Sequence, residues 1–238
     1  MKNNFTFADH ALQYNKMLST VSLDLPAGFK IINPYNGKEK EKVHDIALKF
    51  YNRFYNDTAK RYLILGSSPA RRGSAVSGIP FENISYLESE TGIKISDFFV
   101  NRSSSSFLED VIEKWGGRTK FYAKFYMNFV CPLGISKIDS KGKERNCNYY
   151  DDRKLQNVLY DFIIDSIRQQ ISLGIDTSIC YCIGSGENFN FLNQVNQRYN
   201  FFDEIVPLEH PRFIMQYNSK RKNEFLDKYI HSLSRAKE

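Results

Sequence analysis

A loop after a predicted buried strand carries the first residues whose types could do chemistry. The apolar run 62–65 predicts a buried strand, and the Gly, Ser, Pro and Arg residues of 66–73 predict a loop. In a parallel α/β sheet, ligands bind at the loops that leave the carboxyl ends of strands. Exposed N–H groups, the hydroxyls of Ser67 and Ser68, and the guanidinium groups of Arg71 and Arg72 suit an anion. The stretch therefore predicts an anion-binding loop.

Three further residues have the chemistry of a nucleobase pocket. Phe81 stands at the far end of the same loop, Asn128 ends the next predicted strand, and His210 follows the last strand. An aromatic ring can stack on a base, and an amide both donates and accepts hydrogen bonds. An imidazole can donate to an oxygen that gains negative charge when a base leaves. An enzyme that works on a base in DNA first draws that base out of the stack.

Each of these residues also has an ordinary structural interpretation. Phe81 would be a core residue, Asn128 would cap a turn, and His210 would lie in a surface turn before proline. The basic residues would form a solvated face. Only their joint position at strand ends favours a functional site.

The order of elements must bring these residues together. Strands are predicted at 62–65, 121–130, 177–183 and 205–208. Helices are predicted at 5–20, 40–55, 107–115, 152–173, after 184–186 and at 219–236, with a polar surface loop at 139–145. Alternating strands and helices predict a three-layer α/β/α sandwich with a central four-stranded parallel sheet. We expect one domain spanning 1–238.

Composition sets further limits. The net charge of +6 favours a polyanionic partner without proving one. Four cysteines without a CxxC pair are predicted to be buried free thiols, which fits a reducing cytoplasm. No apolar run is long enough for a membrane helix, and no signal-peptide core is visible at the N-terminus. We expect a cytoplasmic monomer without a membrane partner.

The chain resembles the uracil-DNA glycosylase superfamily, specifically its single-strand-selective monofunctional branch. That branch carries an Asn-Pro element, a G-M-N-P-G loop followed by T-G-x-P-F, an Asn before Cys-Pro-Leu, and His-Pro-Ser-Pro. The corresponding stretches here are Asn33-Pro34, 66–70 with 77–81, Asn128 with 131–133, and 210–213. The first loop is the most specific match because its spacing and flanks both agree.

The resemblance implies a role for each matching residue. Phe81 would stack on flipped uracil, Asn128 would read its polar edge and reject cytosine, and His210 would stabilise the uracil anion. The segment 212–218 would act as a wedge in the duplex. Substrate-binding residues implied by the loop are Gly66, Ser67, Pro69 and Ala70. Implied DNA-binding residues are Arg71, Arg72, Arg212, Phe213, Ile214, Met215, Lys220 and Arg221.

The departures from the family pattern concern catalysis. Ser68 stands where the family has the Asn that positions the attacking water, and Ala70 replaces a glycine. A serine hydroxyl can hold a water but lacks the reach of an amide. The loss could slow uracil removal, shift the substrate to another deaminated base, or transfer the water to a different residue.

We therefore predict a monofunctional glycosylase that hydrolyses the N-glycosidic bond of uracil, or a related deaminated base, in single- or double-stranded DNA. This would be a base excision repair enzyme with catalytic residues His210 and Ser68 and with no metal or organic cofactor. Two alternatives stay open: a non-catalytic module that binds damaged DNA, and a nucleotide or nucleoside hydrolase that uses the arginine-rich loop for a phosphate.

Overall fold

The computed structural model of the protein describes residues 5–94 and 102–236, with the backbone alone described for 102–104. The helices are α1 (Phe7–Ser19), α2 (Lys40–Phe54), α3 (Ser74–Ser77), α4 (Ile84–Thr91), α5 (Arg102–Trp115), α6 (Arg118–Lys124), α7 (Arg153–Ser172), α8 (Glu187–Tyr199), α9 (Pro211–Tyr217) and α10 (Lys222–Leu233). The strands are β1 (Phe29–Ile32), β2 (Arg61–Gly66), β3 (Phe125–Phe129), β4 (Gly134–Ile138), β5 (Glu144–Cys147), β6 (Ile175–Ile183) and β7 (Glu204–Leu208). Short 3₁₀ turns occupy Pro34–Asn36 and Ser219–Arg221.

Four parallel strands form the central sheet in the order β3-β2-β6-β7, flanked by helices. The predicted α/β fold with a four-stranded parallel sheet is confirmed. The chain places β3 on one side of β2 and then crosses to place β6 on the other. Ligands of open α/β sheets bind where the strand order reverses in this way. The loop that leaves β2 lies at this reversal.

The strand register aligns the carboxyl ends of all four strands. Gly66 pairs with Phe129, Leu65 with Cys182, and Ile183 with Leu208. The loops after β2, β3, β6 and β7 therefore open on one edge of the sheet.

The helix α7 shows why the sequence pattern located this element well. Its N-cap Asp152 accepts hydrogen bonds from the backbone N–H groups of Lys154 and Leu155, as expected for an aspartate at a helix start. Leu155 and Leu159 are fully buried, whereas Val158 is 43% exposed. The helix thus buries one apolar face against the continuous core.

Two predicted boundaries are wrong. The predicted strand 121–130 begins as the helix α6, which ends at Lys124, and the strand β3 starts only at Phe125. Gly117 lies at φ 87° and forms the N-cap of α6, so a new helix begins directly after α5. The aromatic residues of α6 face the core as helical residues, and packing overrides their strand propensity. The helix predicted at 107–115 begins earlier, at Arg102.

A second sheet was not predicted. The strands β1, β4 and β5 form an antiparallel sheet in the order β1-β4-β5. The polar loop predicted at 139–145 is correct only for its first part, because Glu144 and Arg145 already belong to β5. The turn is formed by Asp139, whose carboxylate accepts from the N–H groups of Lys141 and Lys143.

Cys131, Cys147, Cys180 and Cys182 are buried free thiols, as predicted. Among the described helices, none is long and apolar enough to span a membrane. Over the same part of the chain, no group of three His, Cys, Asp or Glu side chains is arranged to hold a metal ion.

Replacing Leu159 by Ala should lower the free energy of unfolding by about 2–5 kcal/mol, because the substitution opens a cavity in the core. The neighbouring Val158→Ala variant is the matched control, and it should change stability by no more than about 0.5 kcal/mol because Val158 is exposed. Urea unfolding followed by circular dichroism measures both. Equal losses of unfolding free energy in the two variants would show that α7 does not bury the face that carries Leu159.

Candidate functional site

A cavity of about 1070 Å³ opens at the carboxyl edge of the parallel sheet. It is lined by residues from the segments 66–74, 81–84, 143–150 and 210–217, together with Ser105, Leu108 and Phe129. The first of these segments begins at the last residue of β2, the last follows β7, and the third contains β5 with the residues on either side of it. The cavity is at the upper end of the range that holds one drug-sized ligand.

The structure brings most of the predicted residues into this cavity, but not all. Those that line it are Gly66, Ser67, Ser68, Ala70, Arg71, Arg72, Phe81, His210, Arg212 and Phe213. Predicted residues outside its lining are Pro69, Asn128, Ile214, Met215, Lys220 and Arg221. Phe81, Asn128 and His210 were expected to share one pocket. Phe81 and His210 do line the same cavity, and Asn128 does not.

Phe81 is held in an unusual conformation above the end of β2. Its backbone has φ 63°, a left-handed conformation that is uncommon for a bulky residue and costs roughly 1–3 kcal/mol. Its N–H donates to the Ser74 hydroxyl at 3.0 Å, and its ring stacks on Phe129 at 4.7 Å between centroids. A Cβ on Gly66 would lie 2.4 Å from the Phe81 ring. With one face covered by Phe129, the opposite face is the one that can receive a base.

A buried ion pair anchors the residue after Phe81. The Glu82 side chain is 1% exposed, and its carboxylate accepts from Arg118 through Nε at 3.0 Å and a terminal nitrogen at 3.1 Å. The Tyr122 hydroxyl donates to the same carboxylate. Arg118 also lies over the Tyr86 ring at 3.6 Å. These contacts fix the loop to α6 and hold Phe81 in place.

His210 presents a neutral imidazole to the cavity. It forms the N-cap of α9, where its Nδ1 accepts from the backbone N–H of Arg212 at 3.0 Å. This bond assigns the proton of the neutral ring to Nε2. The ring is exposed within the cavity, yet the surrounding walls lower its pKa by desolvation, and the charge of Arg212 lowers it further. Nε2–H is therefore a donor that carries no formal charge.

Ser68 supplies a second polar group at the end of β2. Its hydroxyl is buried and finds no hydrogen-bond partner of ordinary geometry among the described residues. The Ser68 side chain lies close enough to the Cys131 thiol to lower its pKa slightly. Burial has the larger, opposite effect and raises the pKa of that thiol to about 12. A buried hydroxyl without a strong partner is a place where a water can bind.

Asn128 does not take the position expected for a base-reading amide. Its Nδ2 donates to the Tyr126 hydroxyl at 3.0 Å, and its Oδ1 accepts from the N–H of Phe129 at 2.9 Å. The residue is 5% exposed. Its amide is engaged inside the protein, next to the cavity wall.

Several polar residues that line the cavity were not predicted from the sequence, and three of them lie close together in the chain. Asn146, Asn148 and Tyr150 line it from β5 and the turn that follows. The Asn148 Oδ1 accepts from the Ser67 hydroxyl at 3.1 Å, and the Asn146 Oδ1 accepts from the N–H of Arg71 at 2.8 Å. Their short polar strand carried no signal that would have placed it beside the loop after β2.

The cavity is positively charged. Arg71, Arg72, Lys143 and Arg212 line it, and Glu82 is its one acidic lining residue among those described. That carboxylate is already paired with Arg118. Arg71 lies 3.6 Å from the Glu144 carboxylate. Such a set of cations suits a phosphate backbone.

The helix α9 exposes two aromatic rings beside the cavity. Phe213 is 48% and Tyr217 70% exposed, and both line the cavity. Ile214, predicted to contact DNA, is fully buried, and Met215 packs partly buried against the core. In a helix, residues i and i+4 share a face, so a wedge would consist of Phe213 and Tyr217.

Lys220 and Arg221 lie exposed beyond this helix. Arg221 pairs with Glu224 at 2.8 Å and lies over the Phe225 ring. Neither residue lines the cavity, so a role in DNA binding would place them on its outer surface.

Comparison with known proteins identifies the class to which this fold and cavity belong. A family model described as the uracil DNA glycosylase superfamily matches residues 53–234. The match covers most of the chain, and the protein therefore belongs to that superfamily. Among solved structures, the crystal structure of wild-type Pedobacter heparinus SMUG2 is similar at 46% sequence identity, with a TM-score of 0.89 over 97% of each chain. No curated protein sequence matches. These findings confirm the resemblance inferred from the motifs.

Replacing Arg118 by Met should destabilise the fold by about 3–5 kcal/mol, because the Glu82 carboxylate would stay buried without its cation. Tyr122→Phe removes one donor to the same charge and should cost about 1.5–3 kcal/mol. Urea unfolding measures both variants. Arg221→Met is the control, since its partner Glu224 is exposed and surface pairs contribute little. An Arg118 variant as stable as this control would contradict the anchoring role of the pair.

Proposed function

We propose that the protein is a monofunctional DNA glycosylase that hydrolyses the N-glycosidic bond of uracil, or a related deaminated base, flipped out of DNA. The observation that carries the proposal is the shared cavity of Phe81 and His210 in a chain of the uracil DNA glycosylase superfamily. One residue offers a stacking surface and the other an uncharged donor. The reaction would be the first step of base excision repair.

Phe81 receives the extruded base. Its ring is stationary because Ser74 holds its backbone and Phe129 covers one face. Stacking on an aromatic side chain contributes about 1–3 kcal/mol per base, which offsets part of the cost of unstacking.

His210 stabilises the departing base. As the C1′–N1 bond breaks, its electron pair moves onto the base, and negative charge gathers on the carbonyl oxygens of the base. The Nε2–H of a neutral His210 donates to one of these oxygens, and the bond strengthens as charge develops. A water oxygen then bonds to C1′ and loses a proton, which the departing base anion takes up, leaving an abasic site and the free base.

Ser68 is proposed to hold that water, because the residue lines the cavity and its buried hydroxyl has no hydrogen-bond partner among the described residues. No carboxylate is free beside it among the described lining residues, since Glu82 is paired. Catalysis would therefore rest on charge stabilisation of the leaving base more than on a general base.

The chain acts on DNA through the cations of the cavity and through Phe213 and Tyr217. Arg71, Arg72 and Arg212 would contact phosphates, which makes binding salt-dependent. The two exposed rings would fill the gap that the flipped base leaves. We also propose that the protein is a monomer. We propose a reducing cytoplasm as its compartment, which its four free thiols support.

The alternatives receive less support. A non-catalytic binding module would not require a neutral histidine held with its donor toward the cavity. A nucleotide or nucleoside hydrolase would not require two exposed aromatic rings on α9. The superfamily match also favours base release from DNA.

The direct test is base release from uracil-containing oligonucleotides, single-stranded and paired. We expect abasic sites from the unaltered protein, a loss of about 10²–10³-fold in single-turnover rate for His210→Ala, and about 10- to 100-fold for Phe81→Ala. His44→Ala and Phe5→Ala are matched controls, because both residues are exposed outside the cavity.

Three outcomes would contradict the proposal. Salt-dependent binding without base release would indicate the binding module. Turnover of free nucleotides without action on DNA would indicate the second alternative. Borohydride trapping of a covalent complex would show that Lys143 or another amine acts as a nucleophile, and the enzyme would not be monofunctional.

The pH dependence of single-turnover base release should report on His210. The neutral ring is the active form, so activity is present above its pKa and is lost as pH falls through it. Desolvation and Arg212 both lower this pKa, which extends activity below the ordinary titration range of histidine. Arg212→Gln removes one lowering influence, so its acidic limb should move to higher pH. Lys220→Gln, outside the cavity, should leave the limb in place, and an unmoved limb in Arg212→Gln would refute the assignment.

A further inference from the structure

Both polar atoms of the Asn128 side-chain amide are hydrogen-bonded within the protein. Its Nδ2 and Oδ1 bond to the Tyr126 hydroxyl and the Phe129 N–H, and it lies outside the cavity lining. To read a base, it would have to abandon buried hydrogen bonds, which leaves polar groups unsatisfied at a cost of about 1–3 kcal/mol each.

Asn148 has the opposite arrangement. Its Oδ1 accepts from the Ser67 hydroxyl at 3.1 Å, while its Nδ2 makes no hydrogen bond to any described residue. The backbone N–H of Asn148 donates to the Asp151 carboxylate at 2.8 Å, which fixes the turn that carries it. The side chain is half-buried and lines the cavity. It therefore presents an oriented, unengaged donor.

The position of Asn148 relative to Phe81 follows from the chain. The Phe81 ring lies against Gly66, where a Cβ would meet it at 2.4 Å. Ser67 is the next residue, with its Cα about 3.8 Å further on, and Ser67 holds Asn148. Phe81, Ser67 and Asn148 all line the same cavity, so a base stacked on Phe81 enters the space that Asn148 borders.

We propose that Asn148, oriented by Ser67, reads the polar edge of the flipped base and is the residue that discriminates uracil from cytosine. This inference rests on the function proposed above. The Nδ2–H donates to a ring carbonyl of uracil, and the second lone pair of Oδ1 can accept from the ring N3–H. Cytosine has an amino group where uracil has O4, so two donors would face each other. A site that leaves such groups unpaired rejects the wrong base strongly.

Asn128 then has a different role, as a positioning residue. Its Oδ1 holds the N–H of Phe129, and Gln170 donates to the Phe129 carbonyl at 3.1 Å. The Phe129 ring in turn supports Phe81 from behind. Loss of Asn128 should weaken stacking of either base without changing the preference between them.

A binding experiment separates the base-reading role of Asn148 from the positioning role of Asn128. It uses oligonucleotides with a 2′-fluorinated nucleotide, whose glycosidic bond resists hydrolysis. The readout is the ratio of Kd for the cytosine form to Kd for the uracil form. Asn148→Ala should lower this ratio at least about tenfold, and Ser67→Ala should lower it in the same direction. Asn128→Leu should weaken binding of both forms and leave the ratio unchanged. Asn146→Ala is the matched control for the ratio, because it is another cavity amide, one that bonds to the loop backbone.

The outcomes distinguish this inference from the proposed function. If the unaltered protein releases no uracil, the proposed function fails whatever the ratios are. If it releases uracil while a folded Asn148→Ala keeps the full ratio, the inference is overturned and the function stands; loss of the ratio in Asn128→Leu would then assign the discrimination to Asn128. Circular dichroism checks folding, and should Asn148→Ala fail to fold, the ratio for Ser67→Ala decides: an unchanged ratio overturns the proposal.

Discussion

The contact of the Phe81 ring with the backbone of Gly66 is the constraint on which the site depends. A Cβ at position 66 would lie 2.4 Å from Phe81 and 3.0 Å from Phe129, so the last residue of the central strand has to lack a side chain. The ring can rest there only because its own backbone adopts a left-handed conformation. That conformation is held from one side by the Glu82–Arg118 pair and from the other by Phe129. The stacking surface is therefore built into the core.

Electrostatics in the cavity serve two purposes at once. Cations that attract phosphates would also disfavour a protonated histidine close to them. Arg212 is the clearest case, since its charge lowers the pKa of His210 while its backbone N–H determines which ring nitrogen carries the proton. In the proposed reaction, the cations that would bind phosphates thus also keep the His210 donor neutral, ready to stabilise charge that appears only as the base departs.

Much of the fold could be predicted because its strands are short apolar runs and its helices have clear apolar faces. The run 62–65 and the helix around Leu159 are of this kind. The small antiparallel sheet escaped prediction because β5 is polar and pairs with β4, which in turn pairs with β1 about a hundred residues earlier in the chain. The residues it brings to the cavity, Asn146 and Asn148, escaped for the same reason. The burial of Ile214 likewise depends on which face α9 packs against the core, and the short motif did not indicate this.

The sequence by itself determined the class of fold, the loop after β2, and the pair Phe81 and His210, because strand periodicity and motif spacing are local properties of the chain. Only the tertiary structure decided that Asn148 lines the cavity and that Asn128 does not. Asn128 and Asn148 are chemically identical, and their difference arises from hydrogen bonds to Tyr126 and Ser67. The bond from Ser67 to Asn148 joins the loops that leave two separate sheets, and it is therefore set by how those sheets pack.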